Sequence, residues 1–514
     1  MTSSNKVPAA YWQALLSGPF DTFLEHLDVD SIKNLRLTSK AMSDRCLTPR
    51  FKRCFSHIGI ETAPGPLSRF IDLASHPVLG PCVKKLTLFA PVYDPTTLHL
   101  IIKTEHKHIL GCSGLITYVS EKECTPDEIK EAKMDLAWVH AKMTEQELED
   151  VDLITDLLTR VLSKLGHLSR FSLNMLCIKG PHDMLIGGRA FDWAPVWLSA
   201  AKTFRIATSA MVNSQVSVDS FDVYADIQRC SIQSIDITDQ MRVFDAGPST
   251  FSVVGQTIKH FSLNFSTKVR LNPAQISKSL HSLNGIEDMY YHPWDPSRGL
   301  YEGNEIEVSA PENFTGLPAM LNQMPNLESI DFIQFQTVKL GHGGHVHVLS
   351  EIVSANVRLR SLKRVIFRGL RFLESDLLAF LKRHPTIDHL ELHDVHLLQG
   401  SWGSVVGLFN DGMPGLRFLH LSALESPDRT ILNLAPLWGP PIENMELVDT
   451  PQGRKQMEKY AFQTHNGVLV YRRSFRAEDL AVGLEFTPYP QGVKSESADL
   501  MKFLRHRHQE YGPP

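Results

Sequence analysis

The sequence predicts an α/β chain: a short all-α segment, then an elongated parallel sheet of repeated strand–helix units closing into a horseshoe-like solenoid. Three observations predict it. An apolar triplet with spacing i, i+3, i+5 recurs through the chain, at nearly constant intervals in its later part. Segments with helix start and stop signals separate the late triplets. The opening segment, 1–60, instead carries apolar positions at i, i+3, i+4, i+7, the mark of one helical face.

The N-terminal segment comes first. Phe20, Phe23, Leu24 and Leu27 share one helical face. Asp28 and Asp30 offer N-caps for a following helix. In "SIKNLRLTSKAM", residues 31–42, Ile32, Leu35 and Met42 fall on one side and Leu37 and Ala41 on roughly the opposite side. One side can pack on the preceding helix. The second either packs on the following domain or docks a partner helix.

The triplet appears at Val83/Leu86/Leu88, Leu168/Phe171/Leu173, Ala201/Phe204/Ile206, Ile232/Ile235/Ile237 and Ile258/Phe261/Leu263. It continues at Leu327/Ile330/Phe332, Leu362/Val365/Phe367, Ile387/Leu390/Leu392, Leu416/Leu419/Leu421 and Ile442/Met445/Leu447, with a weaker case at Ile286/Met289/Tyr291. With 43% apolar residues, chance alone gives such a triplet roughly once in 12 positions, so spacing must discriminate. The late intervals are 35, 25, 29 and 26 residues (327 to 362, 387, 416 and 442), close to the leucine-rich-repeat period of about 20–29. "ESDLLAFLKRHP" reads as a short helix capped by Ser375 and stopped before Pro385; "GSWGSVVGLFNDGMP" repeats the scheme with Ser401 and Gly412.

Residues 61–450 thus form the repeat body. A helical insertion covers 90–167, with one helix opening at the capping box Thr125–Glu128, with Pro126 at its first position, and another opening at Thr144–Glu147. Ile154, Leu158, Val161 and Leu165 make the second amphipathic. Residues 291–316 have no period and read as a long loop, and 451–514 as a C-terminal extension.

Composition bounds the function. A chain of 514 residues is too long for one ordinary core. Its net charge of −5, from 52 basic and 57 acidic residues, gives no reason to expect nucleic acid. No run of about 18 apolar residues suggests a membrane span, and the first residues lack the apolar stretch of a signal peptide. Seven scattered cysteines with no CxxC pair suggest reduced thiols in the cytoplasm or nucleus. The sequons at Asn264 and Asn313 then carry no meaning. None of the nucleotide, zinc-protease or serine-hydrolase motifs GxxxxGK[ST], GxGxxG, HExxH and GxSxG occurs, so neither enzyme chemistry nor a cofactor is expected.

Two histidine groups come into question as metal ligands. "GHGGHVH" (His342, His345, His347) fits no standard ligand spacing. His389, Glu391 and His393 face one way on a strand, but the outer pair lies about 13 Å apart at about 3.3 Å per residue. No metal site is expected. Residues interleaved with the triplets point to the sheet's open face, giving Arg170, Arg205, Asp236, Asp331, Arg364, His389, Glu391, His420 and Glu446 as target-binding residues. Basic ones come early and acidic ones from Asp236 onward, with Arg364 an exception, suited to a charge-steered protein partner.

"LDVDSIKNLRLTSKAMSDRCLTPRFKRCF" resembles the second half of an F-box, through Leu27, Asp28, Ser31, Ile32, Leu35, Arg36, Leu37, Ser39 and Lys40, then Pro49, Phe51 and Arg53. The continuation "LSRFIDLASHPVLGPCVKKLTL" and the later "LQGSW" resemble fungal F-box proteins with irregular leucine-rich repeats. Where that family opens with Leu-Pro-x-Glu, this chain reads "LLSGPFDTF". The resemblance implies a substrate-recognition subunit of a cullin-type ubiquitin ligase, without catalysis of its own. Phe20, Phe23, Leu24, Leu27, Ile32, Leu35 and Leu37 would meet a Skp-family adaptor, which brings the cullin, and the repeat surface would hold a protein target. The alternative is a leucine-rich-repeat scaffold whose first helices only cap an apolar solenoid end.

Overall fold

Parallel strands held in one register organise the core. The computed structural model describes residues 22–24, 26–113, 116–186, 193–227, 230–247, 250–266, 311–335, 348–428, 430–432, 463–464, 467–468, 472–484 and 493–494. Three short helices open this region: α1 (Val29–Arg36), α2 (Lys40–Arg45) and α3 (Pro49–Arg53). Asp28, Ser39 and Thr48 cap them in turn, each side chain accepting the backbone N–H three residues on. "SIKNLRLTSKAM" is therefore two helices, not one, because Ser39 starts a new one. Their shared core is Leu24, Ile32, Cys46 and Phe51, closed by Leu79. The Arg36 guanidinium lies over the Phe51 ring, 4.7 Å from its centre.

The main sheet holds twelve strands among the described residues. Nine of them form a continuous parallel path, in chain order: β1 (His57–Glu61), β2 (Lys85–Tyr93), β3 (Arg170–Gly180), β4 (Ser220–Val223), β5 (His260–Ser266), β6 (Ser329–Phe335), β7 (Arg364–Arg368), β8 (His389–His393) and β9 (Phe418–Ser422). An antiparallel strand, β10 (Arg472–Arg476), closes the far edge. Residues 57–60, counted above with the helical segment, are thus sheet, and the C-terminal extension supplies the last strand.

The register builds two apolar rows across the strands. One runs Ile58, Leu86, Phe171, Phe221, Phe261, Ile330, Val365, Leu390, Leu419; the other runs Ile60, Leu88, Leu173, Val223, Leu263, Phe332, Phe367, Leu392, Leu421. All are buried except Ile58, which is half-buried. Phe171, Phe221 and Phe261 stack at 5.9 and 6.0 Å, a geometry that adds to simple area burial.

Helices join these rows into one core: α4 (Pro64–Ser75), α5 (Thr96–Thr104), α6 (Pro126–Glu147), α7 (Val151–Leu165), α8 (Trp193–Ser214), α9 (Ser234–Ala246), α10 (Gly316–Asn322), α11 (Val348–Ser354), α12 (Glu374–Arg383) and α13 (Trp402–Asp411). Only α5 and α6, with the hairpin His106–Ser113/Ile116–Glu123, gather around a separate small core of Leu98, Ile101, Cys124, Ala132 and Val139. At the start of α10 the backbone runs close to α9. A Cβ on Gly316 would sit 2.3 Å from Thr238 Cα, so only glycine fits.

The late units repeat one further detail. The second residue after the second apolar row, Gly369, Asp394 or Ala423, is left-handed (φ 70°, 57° and 52°). Gly369 N–H donates to His393 C=O at 2.9 Å and Asp394 N–H to Ser422 C=O at 2.8 Å. A short second strand follows in two units, Arg371–Leu373 pairing His396–Gln399. Leu370 just before the first strand and Phe372 within it, then Val395 and Leu397 likewise, are buried and extend each triplet by two apolar positions.

Several expectations change. Ala201, Phe204 and Ile206 lie in helix α8, and Ile235 and Ile237 in helix α9. Spacing i, i+3, i+5 suits either structure, and here helical periodicity continues, with Val196, Trp197, Ala200, Phe204, Ala207 and Met211 all buried. The strand between Leu173 and Leu263 is β4 instead, on the triplet Val218/Phe221/Val223. Phe55/Ile58/Ile60 likewise precedes and forms β1. Thr144 starts no helix. It lies inside α6, donating to His140 C=O at 3.1 Å, and Asp150 caps α7. The region 90–167 holds α5 and a hairpin besides the two expected helices. Ser375 is not the cap of α12, which begins at Glu374 after Leu373. Thr125, Ser401 and Gly412 stand at the helix ends as read. Both sequon asparagines are buried. Residues 291–310, His342, His345, His347 and the triplets at 286–291 and 442–447 lie outside the described residues.

Candidate functional site

Two surfaces collect the residues singled out by sequence. On the N-terminal module, Leu24 and Ile32 are buried in its own core, and Leu27 and Leu35 pack partly against it. These four hold the module together. Phe23 is 50% exposed and Leu37 84% exposed, and Ala41 is exposed beside the break between α1 and α2. The second side of this stretch therefore faces solvent and does not pack on the following domain. Phe20 lies outside the described residues. Leu73 of α4 and Leu79 complete the buried side, seating the module on the first strand–helix unit.

The second surface is the face of the sheet opposite the buried rows. One row reads Thr87, Ser172, Asp222, Ser262, Asp331, Ile366, Glu391, His420 from β2 to β9. It contains three carboxylates and no Lys or Arg. The neighbouring row reads Lys85, Arg170, Ser220, His260, Ser329, Arg364, His389, Phe418, with cations and no carboxylate. Arg170 donates to both Asp222 and Asp226. Arg368 pairs with Asp331 at 2.9 Å and Arg364 with Glu391 at 3.1 Å. The expected basic-to-acidic gradient is thus absent, and acidic and basic rows instead run side by side across the strands. Two of its supposed members leave the face altogether. Arg205 is exposed on α8, and Asp236 sits in the first turn of α9, where burial pushes its carboxyl up to about 6. Glu446 lies outside the described residues.

The late end of the face is rich in histidine. His389 and His393 both bond Glu391, at 2.7 and 3.0 Å. Their side chains lean toward one carboxylate although they stand at opposite ends of β8. Burial opposes the charge on Glu391, but His393, His389 and Arg364 outweigh it and hold the carboxyl well below the usual range. The His389 ring stacks on Phe418 at 4.4 Å, and His420 Nδ1 lies 2.7 Å from Ser474 Oγ on β10. Asp331 behaves oppositely. Burial pushes it up to about 6 despite Arg368 and Arg364.

At the early end a cleft of about 380 Å³ spans β1 to β4, lined by His57, Thr87, Phe89, Ser172, Asn174, Asp222, Asp226 and Ile186. Asp222 and Asp226 were missed from sequence because β4 was placed elsewhere. The Val218/Phe221/Val223 triplet is the signal that finds them. Among the described residues no group of three or more His, Cys, Asp or Glu side chains is placed to hold one metal ion, and no helix is long and apolar enough to cross a membrane. Compared with known proteins, the chain matches no family model and no curated protein.

Proposed function

We propose that this chain is a protein-recognition subunit of the F-box kind, presenting targets to a cullin-type ubiquitin ligase and performing no chemistry itself. In this reading the first helices meet a Skp-family adaptor, and the body is an irregular leucine-rich-repeat solenoid whose open face holds the target, in the cytoplasm or nucleus. The observation that carries it is Leu37, 84% exposed at the C-cap of α1, whose other side sets Ile32 and Leu35 against the module's own core. Phe23 adds a second exposed apolar group on the same module. Such residues mark association surfaces when clustered. Arg170, Arg364, His389 and their carboxylate partners supply the polar face of a target groove, where charge selects the partner.

The test is co-purification with a Skp-family adaptor by size exclusion at micromolar concentration. A one-to-one complex is expected. Leu37→Asp should abolish it while circular dichroism and melting stay unchanged. Two separate peaks for the wild-type chain would overturn the adaptor assignment.

A second reading rests on Leu73 and Leu79. Because they seat the module on the sheet's first unit, the helices also serve as an N-terminal cap on an interaction scaffold. The same column run separates the two, since a mere cap leaves the adaptor unbound.

A further inference from the structure

We propose that His99 on α5 and His140 on α6 form a binding site for a divalent transition-metal ion, zinc(II) fitting best, that ties these two helices together. The Nε2 atoms of the two rings lie 3.4 Å apart. Two imidazole nitrogens bound to one tetrahedral zinc, each at about 2.0–2.1 Å, lie about 3.3–3.4 Å from one another. The ring centres are 5.5 Å apart with planes at 81°. The centres are thus much farther apart than the nitrogens, so each ring turns its Nε2 edge toward the other.

The same distance suits one N–H···N hydrogen bond between neutral rings. Metal binding requires the donating ring to move its proton to Nδ1, with no net proton release. Burial first, and His140 second, pull the His99 pKa down, which favours the neutral form that binds metal.

The site also has a structural purpose. Leu98, Ile101, Ala132 and Val139, the neighbours of these histidines along α5 and α6, belong to the small core that stands apart from the main one. A cross-link adds most where the core is small. No third His, Cys, Asp or Glu among the described residues completes the set, so water or a partner's donor fills the remaining positions. The affinity is accordingly weaker than that of a four-ligand structural site.

The experiment titrates the metal-stripped full chain with zinc by calorimetry and follows amide exchange in α5. The chain has 23 histidines, so the comparison among variants decides, not the total. His99→Ala and His140→Ala should each lose the same one zinc equivalent, and the double variant no more than that. His57→Ala should lose none of that equivalent. Zinc should slow exchange across α5 at least threefold in the wild-type chain and leave the two variants unchanged. Undiminished zinc binding in either variant, a double variant that loses two equivalents, or α5 exchange indifferent to zinc would each overturn the proposal.

Discussion

The late units, β6 to β9, and the early strands, β2 to β4, build the same sheet by different means. Late strands start at Ser329, Arg364, His389 and Phe418, with one short helix among the described residues of each interval. Early strands start at Lys85, Arg170 and Ser220, more widely spaced, with a hairpin and several helices between them. Yet register is continuous from Leu86 through Phe221 to Leu419. What the units share is the pair of buried rows and the parallel ladder. The connections vary freely because surface segments tolerate added length at small entropic cost.

That comparison can be broken where the early strands end. Phe221 on β4 stacks on Phe171 of β3 and on Phe261 of β5, the strand that leads into the late units. Phe221→Ala should cost about 3–5 kcal/mol, read as a lower urea midpoint. If the sheet is one cooperative body, fluorescence and circular dichroism will shift together. A late-unit transition that stays in place would show instead that the two regions unfold separately.

The left-handed residue after the late strands offers a sharper, local test. Gly369 has φ 70°, and a Cβ there would lie 2.6 Å from Gln334 C=O. Gly369→Ala should cost about 2 kcal/mol, from strained backbone and clash together. A cost below a few tenths of that would mean the turn relaxes and is no fixed part of the unit.

A smaller effect concerns charge on the open face. Burial pushes the Asp331 carboxyl up to about 6, above its unfolded range. A raised carboxyl binds its proton more tightly when folded, so its charged form weakens the fold above about pH 6, and that penalty disappears as pH falls toward about 4. Asp331→Asn should therefore gain about 1 kcal/mol at pH 7, after discount for Arg368, and almost nothing at pH 4. Melting curves at the two values check the sign. A loss at pH 7 would mean the Arg368 bond outweighs burial.

Much of this was legible in the sequence where one pattern had one meaning. Leu362/Val365/Phe367 and its neighbours sit between clear helix stops, and strands formed there. Ala201/Phe204/Ile206 failed because the same spacing fits one side of a helix, and the apolar periodicity along the whole of α8 outweighed three positions. Thr144 looked like a cap because its local motif is right, but α6 was already in progress and ran through it. The pairing of His99 with His140 could not be read at all. Far apart in sequence, they come into contact only once the hairpin folds α6 back on α5. Leu37 was legible only in part: the sequence set it apart from the packed side, but whether it packs on the following domain or faces solvent was decided by the fold, where it is exposed at the end of α1.

β10 has a consequence in time. It covers the open edge of β9 with a strand of reversed direction carrying three arginines, Arg472, Arg473 and Arg476, and charged edge strands discourage further pairing. But Arg472 follows Ser422 only after a long stretch of chain. At a synthesis rate of about 5–20 residues per second, β9 emerges roughly 3–10 seconds before its cover. For that interval each newborn chain offers a bare row of backbone donors and acceptors to its neighbours on the same message. A chain that stops short of residue 472 offers it for life.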